Sequence, residues 1–235
     1  DADADGDDAD DEADADDDIN NDGIFEEGGD ANLSAGDDVN NNTDAQIIGW
    51  GNVNVEAGND INNEGGASIS AGWGDANLTA GVDINNDGGV TAGDDINAVA
   101  GHDINNAGHM AADDDANLTA GNDINNSGFS VIAGGDANLT AGDDVNNSGL
   151  IAAGNDVNIE AVDNVNNDFP GLIIAGNDVD IEAGNDINND SFILAADDVS
   201  GTAGHNVNNE GVIGAFDDVT LAAGNDVENQ GGVIA

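Results

Sequence analysis

The chain has 235 residues, of which 51 are Asp or Glu and none is Lys or Arg, so its formal charge is −51. This charge excludes binding to nucleic acid or to an anionic membrane surface, because no basic patch can form. The chain has no Cys, which excludes disulfides and thiolate metal sites, and it has no apolar run of about 18 residues that could insert into a membrane. Acidic chains poor in aromatic residues are often disordered, so the spacing of the 38% hydrophobic residues decides the fold.

The N-terminal segment, residues 1–17, is acidic and of low complexity, for which disorder is the default expectation. Ala13 and Ala15 nevertheless fall on apolar positions of a degenerate copy of the repeat that follows. We therefore also expect this segment to dock as a strand or cap on a neighbour. The repeat domain itself is expected to span residues 18–235.

A short motif, Asp-(Ile/Val)-Asn-Asn or a close variant, recurs eleven times from residue 18 onwards, at steps of 20–23 residues. Ten of these tetrads end a gapless unit of twelve residues, such as residues 115–126, and all length variation falls in the segment between units. A fixed unit with one variable arc is typical of a solenoid that accommodates insertions at one edge. The apolar residues of the tetrads are Ile19, Val39, Ile61, Ile84, Ile104, Ile124, Val145, Val165, Ile187, Val207 and Val227.

Within each unit, small or apolar residues alternate with polar ones, which indicates strands. Positions two, four, six and ten are predicted to point inward. Position six is Ala in all ten units, and Gly follows it in nine, with Val162 as the exception. A helix is excluded because Gly, Asn and Asp are too frequent. We predict an all-β fold, a parallel β-helix (β-solenoid) of about eleven coils with three short strands per coil, forming a rod roughly 50 Å long at ordinary strand spacing.

The same alternation places position twelve inside the solenoid, where every copy from Asn21 to Asn229 has Asn. A buried polar group needs a hydrogen-bond partner. Identical Asn side chains at strand spacing can bond amide to amide along the rod. The sequence therefore predicts an interior Asn ladder that penalises slips of register.

Units such as GGDANLTAGDDVNNSGLIAAGND, residues 134–156, resemble the repeats of filamentous haemagglutinin-type exoproteins, which are large adhesins exported by two-partner secretion. The resemblance covers about residues 18–235. It implies a right-handed β-helix, a secreted or cell-surface location, and a role in adhesion or as a spacer. No catalytic residue is implied by this family.

Acidic residues form two columns, at positions one and nine of the unit. Residues 1–18 hold 12 of the 51 acids, which leaves 39 along roughly 50 Å, a denser line of charge than the one charge per about 1.7 Å of duplex DNA. Two interpretations stay open. The columns accept backbone N–H groups in turns and keep the rod soluble, or they bind divalent cations, most plausibly Ca²⁺, together with corner carbonyls.

Two stretches match the spacing of Ca²⁺-binding loops, in which carboxylates and amide oxygens alternate around a Gly. The first comprises Asp1, Asp3, Asp5 and Glu12, with Gly6 at the turn. The second, in a string similar to dockerin loops, comprises Asp83, Asn85, Asp87 and Asp94. These residues are the candidate metal ligands; no other cofactor is expected.

Catalysis is not expected. His102 and His205 lie five coils apart in the predicted solenoid, so they cannot share a site, and no basic residue is present to neutralise an acidic substrate. We expect an extracellular structural protein, the subunit of a head-to-tail filament or an adhesive rod. A Ca²⁺-binding surface or matrix module is the alternative. Self-association end to end is the expected partnership, with a cell-surface or glycan partner as a further candidate; a block cut from a longer rod is the competing interpretation.

Overall fold

The computed structural model describes residues 12–235, and it is built from 33 short strands in three parallel sheets of eleven strands each. Each coil contributes one strand to each sheet, so successive strands of a sheet are three elements apart in the chain. The predicted all-β solenoid of eleven coils with three strands per coil is confirmed. The described residues contain no helix that is long and apolar enough to cross a membrane.

The first sheet contains the longest strands, which correspond to positions two to six of the repeat unit. Its strands, in spatial order, are β1 (Glu12–Ala15), β4 (Ala31–Ala35), β7 (Val53–Ala57), β10 (Ala76–Ala80), β13 (Ile96–Ala100), β16 (Ala116–Ala120), β19 (Ala137–Ala141), β22 (Val157–Ala161), β25 (Val179–Ala183), β28 (Val199–Ala203) and β31 (Val219–Ala223). The pairing of β1 with β4 sets Ala13 opposite Leu33 and Ala15 opposite Ala35.

The second sheet is formed by the tetrads. Its strands are β2 (Ile19–Asn21), β5 (Val39–Asn41), β8 (Ile61–Asn63), β11 (Ile84–Asn86), β14 (Ile104–Asn106), β17 (Ile124–Asn126), β20 (Val145–Asn147), β23 (Val165–Asn167), β26 (Ile187–Asn189), β29 (Asn206–Asn209) and β32 (Asp226–Asn229).

The third sheet is formed by the variable arcs. Its strands are β3 (Ile24–Glu27), β6 (Gln46–Gly49), β9 (Ser68–Ala71), β12 (Gly89–Ala92), β15 (His109–Ala112), β18 (Ser130–Ala133), β21 (Leu150–Ala153), β24 (Leu172–Ala175), β27 (Phe192–Ala195), β30 (Val212–Gly214) and β33 (Gly232–Ile234).

The core is a column of stacked aliphatic side chains enclosed by the three sheets. Pairing is in register, so like faces like: Leu118 lies opposite Leu139, and Ile124 lies opposite Val145. Both Leu118 and Ile124 are buried, as the alternation predicts. Because all coils share one register, a one-residue slip in any coil would expose its whole apolar set.

Most insertions lie at the corner between the second and third sheets. In two coils this corner closes with a turn, in which the N–H of Ala45 donates to the carbonyl of Asn42 at 2.9 Å and that of Ala67 to the carbonyl of Glu64 at 2.9 Å. Asp44 takes a positive φ of 65° there. In a third coil the corner includes the cis Phe169–Pro170 bond. Length variation is thus concentrated at the predicted edge but is not confined to it, because the connection from β9 to β10 at the corner between the third and first sheets, which contains Trp73, is one residue longer than that from β12 to β13.

The corner after the first sheet is tight because successive coils approach each other closely. A Cβ placed on Gly121 would lie 2.0 Å from the carbonyl oxygen of Gly101 in the preceding coil, and one on Gly101 would lie 2.1 Å from that of Gly81. These glycines have no positive φ to explain them. Gly at position seven is therefore selected by contact between coils, whereas the sequence indicated only that the chain turns there.

Candidate functional site

The interior Asn column forms an unbroken hydrogen-bond ladder. The Nδ2 of each Asn donates to the Oδ1 of the Asn in the following coil, at 2.7–2.9 Å over ten successive bonds from Asn21 to Asn229. Most of these amides also donate to a backbone carbonyl of the third sheet, as Asn106 does to Ser130 at 3.1 Å. The predicted interior ladder is confirmed, and it ties the second sheet to the third.

Two further Asn ladders lie on the outer surface, and their hydrogen bonds were not predicted from the sequence. At position eleven, Nδ2 donates to the Oδ1 of the preceding coil at 2.8–3.0 Å from Asn40 to Asn208. At position three the same bond runs from Asn54 to Asn158. The recurrence of Asn at these positions was the available signal.

The acidic columns accept backbone hydrogen bonds from the next coil. At position nine, one carboxylate oxygen of Asp83 accepts the N–H of Asp103 at 3.0 Å, and this bond repeats along the column at 2.8–3.2 Å. At position one the equivalent bonds measure 2.7–3.2 Å. Asn52 and Asn164 substitute for Asp without breaking either ladder, because an amide oxygen accepts equally well.

Partial burial, together with neighbouring carboxylates, raises the pKa of Asp123 above its ordinary value. Partial burial is the largest cause, and the charges of Asp103, Asp144 and Asp143 add to it, while the N–H of Asp144 opposes the rise. Burial and like charges both disfavour the ionised form. This carboxylate lies at the middle of the position-nine column, where negative neighbours lie on both sides.

The haemagglutinin repeat family model matches the chain in four overlapping or adjoining segments, residues 6–72, 68–128, 130–183 and 170–231. The chain belongs to the haemagglutinin repeat family. No curated protein and no solved structure matches the chain.

Haemagglutinin repeat proteins are typically secreted or exposed at the cell surface and are generally not enzymes. Membership suggests an adhesin-like or structural extracellular protein, in agreement with the resemblance that the repeat units indicate.

The candidate metal ligands of this haemagglutinin repeat are distributed around one coil. Asp83 precedes β11, Asn85 lies within it, Asp87 follows it, and Asp94 follows β12. Asp83 and Asn85 are members of two different ladders. Between residues 12 and 235 no group of three or more His, Asp or Glu side chains is gathered closely enough to hold a metal ion.

The first predicted Ca²⁺ loop lies largely outside the described part of the chain. Asp1, Asp3, Asp5 and Gly6 precede the first described residue. Glu12 is the first residue of β1, where it pairs with Asn32 of β4. The assignment of these residues as ligands stays a prediction.

The outer face of the first sheet carries a shallow groove in two stretches, each lined by both polar and apolar side chains. One stretch of about 370 Å³ is lined by Asn32, Asn54, Asn77 and Glu56 among others. A second stretch, of about 510 Å³, includes Asn138, Asn158, Glu160 and Glu182. Each ladder Asn uses one N–H and one lone pair within the ladder, so a second N–H and a second lone pair are available to a ligand.

The histidines are separated, as the repeat numbering predicts. His205 Nδ1 lies 3.3 Å from Oδ1 of Asp186, and His109 Nδ1 lies 2.5 Å from the hydroxyl of Ser130 on the third sheet. His102 is exposed and lies in the coil of β13 and β14, five coils from that of His205. His102 and His205 are therefore not brought together, and His109 and His205 each contact a different side chain.

Proposed function

We propose that this chain is an extracellular structural rod whose coils stack end to end with those of a second copy, forming a filament or adhesive rod. The single observation that carries the proposal is the coil-to-coil interface. Three sheets and the interior Asn ladder continue through every coil in one register, so each coil edge is complementary to the next. Membership of the haemagglutinin repeat family supports an adhesin-like or structural role.

The last described coil shows what a stacking edge offers. β31, β32 and β33 each pair with one strand among the described residues, and their other edge has the geometry that a further coil, such as the first coil of a second copy, would pair with. Val227 and Val233 are 48% and 42% exposed, whereas Val207 and Ile213, their partners in the preceding coil, are buried. Exposed parallel edges with apolar side chains pair readily with other chains. A stacked copy would set the amide of Asn229 against the amide oxygen of Asn21 and continue the interior ladder.

Negative-stain electron microscopy tests the filament. We expect long, uniform filaments from the unmodified chain and their loss in Val227→Asp, which buries a charge at the stacking edge. Val99→Asp is the matched control, because Val99 is similarly exposed at 46% but lies on the outer face of the first sheet. Short rods of about 50 Å from the unmodified chain, or filaments that survive Val227→Asp, would overturn the stacking proposal.

Binding of Ca²⁺ by the acidic columns is the second candidate. One oxygen of each ladder carboxylate is occupied by a backbone N–H, whereas the other oxygen of residues such as Asp83, Asp103 and Asp123 has no hydrogen-bond partner among the described residues. These oxygens repeat at strand spacing, about 4.8 Å. Oxygen ligands in a flexible arrangement are what Ca²⁺ takes.

A thermal-unfolding series in CaCl₂ and in NaCl of equal ionic strength tests this candidate. We expect Ca²⁺ to raise the unfolding temperature further than Na⁺, and the triple variant Asp83→Asn, Asp103→Asn, Asp123→Asn to lose that difference while keeping its backbone bonds. The control removes three charges outside the two ladders, with Asp113→Asn, Asp143→Asn and Asp163→Asn. The Ca²⁺ candidate would be overturned if the unfolding temperature rose equally in both salts, or if EDTA changed neither the β-structure signal nor the unfolding temperature. The acidic columns would then serve only to accept backbone N–H groups and to keep the rod soluble.

A glycan at the cell surface is the proposed target of the rod's groove on the first sheet. The amides of Asn138 and Asn158 present donors and acceptors at regular spacing, which suits the hydroxyls of a neutral glycan. We expect a neutral glycan to bind more tightly than an acidic one, because Glu160 and Glu182 line the same groove. Binding measured on a panel of neutral and acidic oligosaccharides, with Asn138→Ala as the variant, tests this target.

A further inference from the structure

The outer face of the third sheet is mixed in β3 and β6, where Ile24 and Ile48 alternate with Glu26 and Gln46, then polar in β9 and β12, and apolar further along the rod. In β9 and β12 its outward side chains are Ser68, Ser70 and Thr91, with Gly89. From β18 to β30 they are almost entirely hydrophobic. We call this set the apolar face; its members are Ile132, Leu150, Ala152, Leu172, Ile174, Phe192, Leu194 and Val212.

The fold does not require these hydrophobic residues. Ser68 and Ser70 occupy the same register positions in β9, and that strand pairs as regularly as the others. Ile174 and Phe192 are 37% and 45% exposed. Polar side chains would suit such exposed positions equally well. Contiguous exposed apolar residues on a soluble protein typically mark an interaction surface.

Acidic residues flank the apolar face on both sides. Exposed Asp168, Asp190 and Glu210 lie at the corners that precede β24, β27 and β30. Exposed Asp197 and Asp217 follow β27 and β30. An apolar stripe between two acidic edges is complementary to a partner with an apolar stripe between two basic edges.

We propose that the apolar face docks a cationic amphipathic α-helix of a partner protein. Five strands at about 4.8 Å spacing span roughly 19 Å, which corresponds to about 13 residues of helix at 1.5 Å per residue. A basic helix of that length can lay its hydrophobic side on Leu172, Ile174 and Phe192 while its Lys or Arg side chains reach the flanking carboxylates. This inference stands on the sheet face and does not depend on filament formation.

A second copy of the chain is a poorer occupant of the apolar face. Joining two identical faces would bring the flanking acids Asp168, Asp190 and Glu210 near those of the other copy, and the chain has no Lys or Arg to neutralise them. An anionic membrane is repelled for the same reason. A partner with both hydrophobic and positively charged side chains complements the apolar face and the acidic residues that flank it.

Fluorescence anisotropy with a labelled 14-residue probe peptide tests the proposal; its helix has Leu on one side and Lys on both flanks. We expect saturable binding to the full chain and at least a tenfold loss of affinity in the double variant Ile174→Ser, Phe192→Ser, which reproduces the serines of β9. Val99→Ser, on the first sheet, is the control and should bind as the unmodified chain does. A probe with Glu in place of Lys should not bind.

Salt and acid variants separate specific docking from general attraction to an acidic rod. Asp190→Asn with Glu210→Gln should weaken the Lys probe several-fold and reduce the dependence of its affinity on NaCl. Equal binding of the probe to the serine double variant would overturn the proposal, because attraction would then come from charge alone. Sedimentation in which the unmodified chain dimerises and the serine double variant does not would assign the face to a second copy and would also overturn it.

Discussion

Asn105 and Asn106 are neighbours in the chain, yet their side-chain amides donate in opposite directions along the rod. Asn105 donates to Asn85 in the preceding coil at 3.0 Å, and Asn106 donates to Asn126 in the following coil at 2.9 Å. Alternation along β14 sends the first side chain outward and the second inward. The inner and outer ladders of the second sheet therefore have opposed directions, so their amide dipoles partly cancel instead of adding along the rod.

Removal of an interior amide should cost far more than removal of its outer neighbour. Asn106→Ala would leave the donor of Asn86, the acceptor of Asn126 and the carbonyl of Ser130 without this partner inside the solenoid. We expect the free energy of unfolding to fall by about 3 kcal/mol, since buried unsatisfied groups cost about 1–3 kcal/mol each. Asn105→Ala should cost less than about 1 kcal/mol, because water can reach that ladder.

Urea unfolding followed by circular dichroism, with both variants measured in parallel, checks this difference. Equal losses of stability in Asn105→Ala and Asn106→Ala would contradict a special role of the interior ladder. The comparison is well matched, because the two residues have the same chemistry and lie in the same strand.

Gly121 should tolerate no side chain without a shift of the coil. The Cβ of Gly121→Ala would lie 2.0 Å from the carbonyl oxygen of Gly101, a backbone atom. We expect a loss of about 1–3 kcal/mol, which is typical of overpacking. Gly89→Ala is the control, because a Cβ there meets no heavy atom within 4 Å.

Val162 supplies an internal comparison for the same corner. It occupies position seven in its coil, and its N–H donates to the carbonyl of Ala141 at 3.2 Å, where the N–H of Gly121 donates to Ala100 at 3.0 Å. Val162→Gly should therefore stabilise the rod or leave it unchanged. A clear loss of unfolding temperature in Val162→Gly would show that close approach is not what selects glycine at this corner.

Asp123→Asn should stabilise the rod near neutral pH and have little effect in acid. Because the pKa of Asp123 is raised in the folded state above 3.8, the folded state retains its proton where the unfolded state has lost it. The stability from this proton is complete below pH 3.8 and is lost as the pH rises through the folded-state pKa. Above that pH the variant should gain a fraction of about 1 kcal/mol, because the uncharged amide avoids both the desolvation of a carboxylate and its solvent-screened repulsion from Asp103 and Asp144.

The unfolding temperature of Asp123→Asn and of the unmodified chain, measured from pH 3 to pH 8, checks this prediction. The amide keeps the acceptor role, as Asn164 does for the N–H of Asp186 at 3.2 Å. Asp163→Asn removes one charge outside the two ladders and is the control. A stabilisation of Asp123→Asn that is the same at pH 3 and pH 8 would contradict the assignment.

Monovalent salt should stabilise the whole rod. The two acidic columns place like charges at successive coils, and no basic residue offsets them. The screening length falls from about 30 Å at 0.01 M to about 8 Å at 0.15 M salt. We expect the unfolding temperature to rise by several degrees between 0.01 M and 0.15 M NaCl, and a flat profile would show that the columns repel little.

Most of the fold could be predicted from the sequence because the repeat is strict and each position repeats its environment. The period of 20–23 residues, the inward positions such as Ile124 and the buried Asn126 all followed from alternation and stacking. The acidic columns were harder, because Asp at position nine suits a turn, a cation or a solvated surface equally well. Only the structure showed that one carboxylate oxygen at this position accepts a backbone N–H, as Asp83 accepts that of Asp103.

By itself, the sequence determined the all-β solenoid, the number of coils and the interior ladder, because these depend on local alternation and on identical residues recurring at one period. The tertiary structure decided which surfaces meet. It showed that Gly121 is required by the coil before it, that Asn105 and Asn106 donate in opposite directions, and that Ile174 and Phe192 belong to one apolar face. These relations join residues about 20 positions apart across strands, and their distances and directions are fixed only when the coils are stacked.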